Sequence, residues 1–267
     1  MKKIICLAAG IFLYSLSLKA QFPLTAEVTG KGGQQLFVRS PESLVFGNAC
    51  TLDSLPRLSF GLSSARSYLL PELSEYSAGI RLKLPASASF MCGLAVKGFS
   101  LFRYQELGAS LSKKFGKTFC AALGIAHYSI RQGEGNGTFS VYSMKAGLQV
   151  KLSQVLEAAS GCKIPLRRRA EMPADDFSIA LRYRFSNLFA LQSEVAIHAL
   201  QAGFLISLQY RPHPRVEMNL AGGGYPFRMA FGCELESRAL RFRIGALYSP
   251  QPGLSPAAGA ETSGLRY

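Results

Sequence analysis

Alternation of apolar and polar residues is the dominant pattern along this chain, and it has the period of two that belongs to β-strands. From Ser178 to Phe185, Ile179, Leu181, Tyr183 and Phe185 share one face, while Ser178, Ala180, Arg182 and Arg184 share the other. The same plan runs through 76–84, 142–152, 203–211, 227–236 and 241–248. One face is apolar, with aromatics near segment ends (Tyr76, Tyr183, Phe185, Tyr210, Tyr248); the other is small or basic. Helical periodicity is poor, and no stretch after the N-terminus is apolar enough to make a membrane-spanning helix.

These segments approach ten residues. That exceeds the usual soluble strand and suits a tilted strand crossing a bilayer. The spacing predicts about fourteen strands, near 57–66, 75–84, 88–98, 104–115, 117–131, 138–152, 154–162, 177–186, 189–199, 202–211, 214–222, 226–236, 239–249 and 257–267. The weakest is 154–162, and without it the count falls toward twelve. Turn signals separate the segments at Leu84-Pro85, around Gly116, at 132–137, Ser186-Asn187, 211–214, Ser237-Arg238 and 250–256. Hydrocarbon leaves no backbone N–H or C=O unpaired without a cost of several kcal/mol, so a strand-built span closes into a barrel. The expected fold is therefore an all-β transmembrane antiparallel up-and-down barrel over 57–267. Its apolar face turns outward and its polar face lines the lumen. In the competing arrangement, a soluble periplasmic sandwich, the apolar face would turn inward.

Residues 1–20 read as a secretory signal peptide: Lys2 and Lys3, an uncharged stretch from Ile4 to Leu18, then Lys19-Ala20-Gln21. Residues 21–56 alternate poorly, carry Gly30, Gly32, Gly33 and Gly47, and are a candidate plug or cap for the lumen.

Composition agrees with an ordered protein, at 48% hydrophobic, 17% charged and 11% aromatic. The formal charge is +14, and it falls to +11 without the leader's three lysines. For an exported protein that balance favours an anionic surface over nucleic acid. The expected location is the bacterial outer membrane. Its lipid and lipopolysaccharide are the expected partners, with secretion-complex proteins as further candidates. After the leader five cysteines remain (Cys50, Cys92, Cys120, Cys162, Cys233) with no metal-type spacing, and they read as small apolar side chains.

A family likeness rests on two stretches. Glu75-Tyr76-Ser77-Ala78-Gly79 is one. The other runs from Tyr104-Gln105-Glu106 through Ser112-Lys113-Lys114-Phe115-Gly116-Lys117, then Ala122-Leu123-Gly124-Ile125 and Tyr128-Ser129-Ile130-Arg131. Together with Gly253-Leu254-Ser255-Pro256 and the run to Tyr267, this resembles the PorV/PorQ-like, FadL-type outer-membrane barrels. The asparagine-proline-alanine-glycine motif common near their N-terminus is absent; Gly47-Asn48-Ala49-Cys50 sits about where it would be. The resemblance implies either a solute or lipid channel or a part of type IX secretion and surface-attachment machinery.

Chemistry is sparse. The three histidines (His127, His198, His213) form no motif, and His127 near Ser129 or His198 near Ser193 are the only arrangements suggestive of a hydrolase. GxSxG, HExxH and phosphate-loop patterns are missing, Asp175-Asp176 reads as a solvated loop pair, and Asn136-Gly137-Thr138 as a loop tip. No cofactor, metal or enzymatic activity is expected. The informative feature is the basic face. Arg81, Lys83, Lys145, Lys151, Arg182, Arg184, Arg211, Arg228, Arg241 and Arg243 are candidates for the lumen wall, with Glu234 and Glu236 as acids that could pair with them. A confined cationic lumen would favour an anionic or amphipathic solute. In the alternative, the same arginines are consumed in ion pairs within a non-transporting scaffold barrel.

Overall fold

The computed structural model describes residues 25–31, 33–52, 56–99, 102–133, 138–167, 176–198, 201–224, 227–250 and 253–262. The expected signal peptide (residues 1–20), Gly32, Asn136-Gly137, Arg168, Arg169, Asp175 and the terminal Ser263, Leu265 and Tyr267 lie outside the described residues.

Fourteen antiparallel strands close into one barrel. They are β1 (Leu58–Arg66), β2 (Ser74–Lys83), β3 (Ala88–Phe99), β4 (Phe102–Phe115), β5 (Phe119–Gln132), β6 (Thr138–Lys151) and β7 (Leu156–Pro165), followed by β8 (Asp176–Arg184), β9 (Phe189–His198), β10 (Gln201–His213), β11 (Val216–Gly223), β12 (Arg228–Glu236), β13 (Leu240–Ser249) and β14 (Gly253–Thr262). Each strand pairs with its chain neighbours, and β1 closes on β14 from Gly61–Glu261 to Ala65–Ala257. No open edge remains, which is the arrangement hydrocarbon demands of strands. A two-sheet sandwich is excluded.

Side-chain alternation is expressed as predicted. β1 alternates exposed and buried along its whole length. Leu62, Leu123 and Ile244 are 50%, 66% and 58% exposed, whereas inward neighbours such as Ala65, Ala122 and Arg243 are at most 6%. The apolar side chains therefore point away from the interior. Aromatic pairs gather at one end of this outer band: Phe115 with Phe119, Tyr183 edge-on to Phe185 at 4.8 Å, and Phe189 stacked on Tyr210 at 4.7 Å. Links at that end are short (84–87, 116–118, 152–155, 185–188, 214–215, 237–239), while the opposite end carries 67–73 and 166–175.

Two elements depart from expectation. The doubtful 154–162 segment is a full strand, β7. Its outward positions Ala158, Ser160 and Cys162 are too small to print an apolar stripe, but both neighbours pair along it. β14 begins at Gly253 rather than 257, so part of the stretch read as a turn is strand. Pro256 fits because it lies past the last β1–β14 pair, Ala65–Ala257, where a missing N–H costs the ladder little.

Two short helices precede the barrel: α1 (Ala26–Gly30), capped by the Thr25 hydroxyl accepting from the Val28 N–H, and α2 (Pro41–Phe46), with Pro at its first turn. Among the described residues no helix is long and apolar enough to cross a membrane.

Candidate functional site: the filled lumen

Every described residue from Thr25 to Leu52 is buried or half-buried, and its partners are the inward-facing residues of the wall. Three rows of cross-strand glycine make this possible. Gly61, Gly79, Gly93 and Gly108 are paired consecutively across β1–β4; Gly147 faces Gly161 across β6–β7; Gly232 faces Gly245 across β12–β13. A Cβ at Gly79 would lie 2.5–2.7 Å from the backbone of Pro41 and Glu42, and one at Gly232 would lie 2.8 Å from Gly30 Cα. These positions have no side chain because another backbone occupies the space, which is the close-approach role of strand glycine.

Polar contacts carry the segment round the rest of the wall. The Ala26 N–H donates to Ser63 Oγ at 2.7 Å on β1. Gln34 accepts from Ser207 Oγ at 2.7 Å on β10, and its amide points at the Leu205 and Gln192 carbonyls. The Gln35 and Leu36 N–H groups donate to Glu194 on β9 at 3.1 and 3.2 Å. Arg182 on β8 donates to the Phe37 carbonyl at 3.2 Å and lies over its ring. Arg39 pairs with Glu217 on β11 at 3.3 Å. Lys145 on β6 donates to the Val45 and Phe46 carbonyls, satisfying the end of α2. Asn48 reaches the Leu148 carbonyl, Leu52 N–H donates to Gln149, and Cys50 lies against the Cys120 carbonyl on β5. Ala26 packs against Gly259 on β14. The segment thus reaches every strand.

Within the segment Glu27 is the organiser. It accepts from Lys31 Nζ at 2.8 Å and from the Arg39 and Ser40 N–H groups at 2.8–2.9 Å, fixing the start of α2 to α1. Burial alone would raise its carboxyl, but Lys31, Arg243 and these hydrogen bonds hold it well below the usual carboxylate range. Glu42 is the opposite case. Burial, only partly offset by Arg243 and worsened by Glu261, pushes its carboxyl up to about 7. Below the ordinary carboxyl value both seated and released forms are protonated. As pH rises toward 7 the released form loses its proton first, so seating weakens, by up to roughly 3 kcal/mol. Glu27 adds nothing in this window, since its contribution is lost only in strong acid. Glu42→Gln is expected to make thermal stability fall less steeply between about pH 5 and pH 8 than in the unmodified protein. An unchanged slope in heat-modifiable gel migration would refute this.

The ten basic candidates divide. Lys145, Arg182, Arg184, Arg211, Arg241 and Arg243 are in ion pairs. Arg81 is buried and donates to Ser59 and to the Pro56 carbonyl. Arg228 is half-buried near Gly33, Lys151 is half-exposed, and Lys83 is exposed at the end of β2. Glu234 and Glu236 do pair with arginine, but they are part of a larger set of acids. Glu106, Glu157, Glu217 and Glu261 each hold a lysine or arginine of the wall. Glu75 faces Lys97, and Glu194 holds the segment's backbone. Sequence reading passed over these acids because alternation shows which face a residue takes, not what lies beside it on the next strand.

Two further features adjoin. Glu106 accepts from Tyr104 Oη at 2.9 Å, Tyr128 Oη at 2.6 Å and Lys145 Nζ at 2.9 Å, and Lys163 lies over the Tyr128 ring at 4.3 Å. Tyr104 and Tyr128 belong to an inward apolar cluster with Val141, Phe102, Ile130 and Phe139 on β4–β6. Beside it, Gln35, Leu36, Phe46 and Asn48 of the segment border a small cleft, partly open to solvent, whose other wall carries Lys145, Lys163, Asp176 and Ser178. His127, by contrast, lies against Tyr142 on the outer face, with the two rings tilted at 46°.

No known protein family matches the chain, and no curated sequence does. Solved structures do match in fold. The Pseudomonas putida toluene transporter TodX is similar at a TM-score of 0.62 and 11% identity, over 91% of this chain and 98% of that one. The monoaromatic hydrocarbon channel CymD is similar at 0.63 and 9% identity, over 90% and 97%. At these identities the likeness is one of fold.

Proposed function

We propose that this protein is an outer-membrane channel or transporter of the FadL type whose lumen is closed by residues 25–52 acting as a plug, and that its solute is amphipathic with an anionic end. The carrying observation is the segment that reaches every strand of a barrel whose outer face is apolar. Outer-membrane location is supported by that apolar band, its aromatic border and the short links at one end, the pattern of barrels with short periplasmic turns. Membrane lipid then covers the band.

The solute class follows from the interior. Most lumen cations are neutralised by neighbouring carboxylates, so a simple anion pore has little support. The cleft instead sets Lys145 and Lys163, which share the Glu106 carboxylate, opposite Leu36 and Phe46 of the segment, offering polar groups on one side and apolar surface on the other. The fold shared with TodX and CymD, named as a toluene transporter and a hydrocarbon channel, agrees with passage of a partly apolar solute.

Planar-bilayer recording tests the proposal. The full chain is expected to open intermittently, and the chain lacking residues 25–52 to stay open. Octanoate, an amphipathic carboxylate, is expected to block the openings at lower concentration than acetate. A full chain that stays silent under voltage and moderate urea would replace this reading with the scaffold barrel, which the tightly filled interior also favours.

A further inference from the structure

Five cysteines follow the leader region, and the barrel sorts them. Cys92, Cys162 and Cys233 lie at outward-facing positions of β3, β7 and β12, on separate strands. Cys50 and Cys120 are inside, 1% and 0% exposed, one on the N-terminal segment and the other on the wall. The Cys50 sulfur lies 3.4 Å from the Cys120 carbonyl and 3.1 Å from that of Gly147, and the two cysteines belong to one buried cluster. Asn48 Oδ1 accepts from the Cys50 N–H at 3.0 Å, while its amide grips the Leu148 carbonyl, so the backbone that presents Cys50 is itself fixed to β6. This is the last stretch of the segment before the chain enters β1.

We propose that Cys50 and Cys120 form a disulfide that fastens the segment to β5. The proposal rests on the outer-membrane reading for its oxidising surroundings and on the plug reading for its consequence. The oxidant is a disulfide, either that of an oxidoreductase or a small-molecule one. Both sulfurs are buried once the segment is seated, so the reaction belongs to seating. The Cys120 thiolate attacks the oxidant's disulfide, forming a mixed disulfide and expelling one thiolate. Cys50 then loses its proton and attacks the Cys120 sulfur, expelling the second thiolate. Two electrons pass to the oxidant, and the two protons from Cys50 and Cys120 end on its two thiols. The closed loop spans residues 50–120, long enough for a cross-link to restrict the released state substantially.

The test reads the bond directly. The full chain is refolded into detergent with oxidised or with reduced glutathione, its free thiols are blocked under denaturing conditions, and its peptides are mapped by mass spectrometry. The oxidised preparation is expected to yield a Cys50–Cys120 cross-linked peptide, with Cys92, Cys162 and Cys233 blocked. In moderate urea, trypsin is expected to cut its segment, at Lys31 or Arg39, at least about tenfold more slowly than in reduced protein or in Cys50→Ala and Cys120→Ala variants. Complete blocking of both Cys50 and Cys120 in the oxidised preparation would overturn the proposal. So would a mapped cross-link with equal cleavage in both forms. Neither readout depends on transport, so failure of the channel reading would leave this result distinguishable.

Discussion

Replacing Gly79 with valine is expected to unseat the N-terminal segment and leave a barrel that conducts. The site is specific: any Cβ there would overlap the Pro41–Glu42 backbone at 2.5–2.7 Å, and a main chain cannot swing aside as a side-chain tip can. α2 must therefore lift from β1 and β2. It would take with it the Lys145 contacts to the Val45 and Phe46 carbonyls and the hydrogen bond between Thr25 and Ser43. Overpacking of this kind costs about 1–3 kcal/mol, occasionally more. The wall itself has no quarrel with valine, a good strand residue, so heat-modifiable migration should persist. Bilayer recording should show sustained openings, and Lys31 and Arg39 should become trypsin-sensitive. A valine variant as silent and as protected as the parent would mean that the segment does not lie where the glycine rows place it.

Arg243→Met should be the most damaging single change inside the barrel. Arg243 is 3% exposed and holds Glu234 and Glu261, each at 2.7 Å. Its charge also acts on Glu27 and Glu42 of the segment. Without it the ion pairs left to Glu234 and Glu261 are those with Arg241, and the one left to Glu27 is that with Lys31. Removing one member of a buried ionic group costs about 3–5 kcal/mol, because the remaining charges stay desolvated. Urea unfolding should register that loss. Adding Glu261→Gln should recover part of it, since the neutral amide no longer needs a guanidinium. Equal stability of parent and Arg243→Met would show that this cluster is not a supporting one.

How far the sequence could lead depended on the neighbour each residue meets. Outward positions such as Ile179, Leu181 and Tyr183 meet a uniform apolar surrounding, so period-two alternation alone identifies them. β7 was faint because Ala158, Ser160 and Cys162 face the same surrounding with small side chains. The start of β14 was hidden by Pro250 to Pro256, which reads as a turn until pairing with β13 is known. The interior was less legible. Arg182 and Glu157 are distant in sequence order of reading and become partners only through the β7–β8 register. Residues 25–52 lack any period because successive residues answer to different strands: Gln34 to β10, Leu36 to β9, Asn48 to β6. The conspicuous signal there was glycine on the wall, and Gly61, Gly79, Gly93 and Gly108 are legible as a row only once four strands are aligned.

The seat described for residues 25–52 exists only after β14 has met β1, because its parts come from the whole circumference. A segment that precedes the whole barrel in the chain is therefore the last to find its place. A nascent barrel must travel and close with this stretch unhoused, its Glu27, Arg39 and Phe37 still in water. Slow, non-local maturation is the natural result, and any factor that holds such a stretch during that interval would set the yield of finished protein.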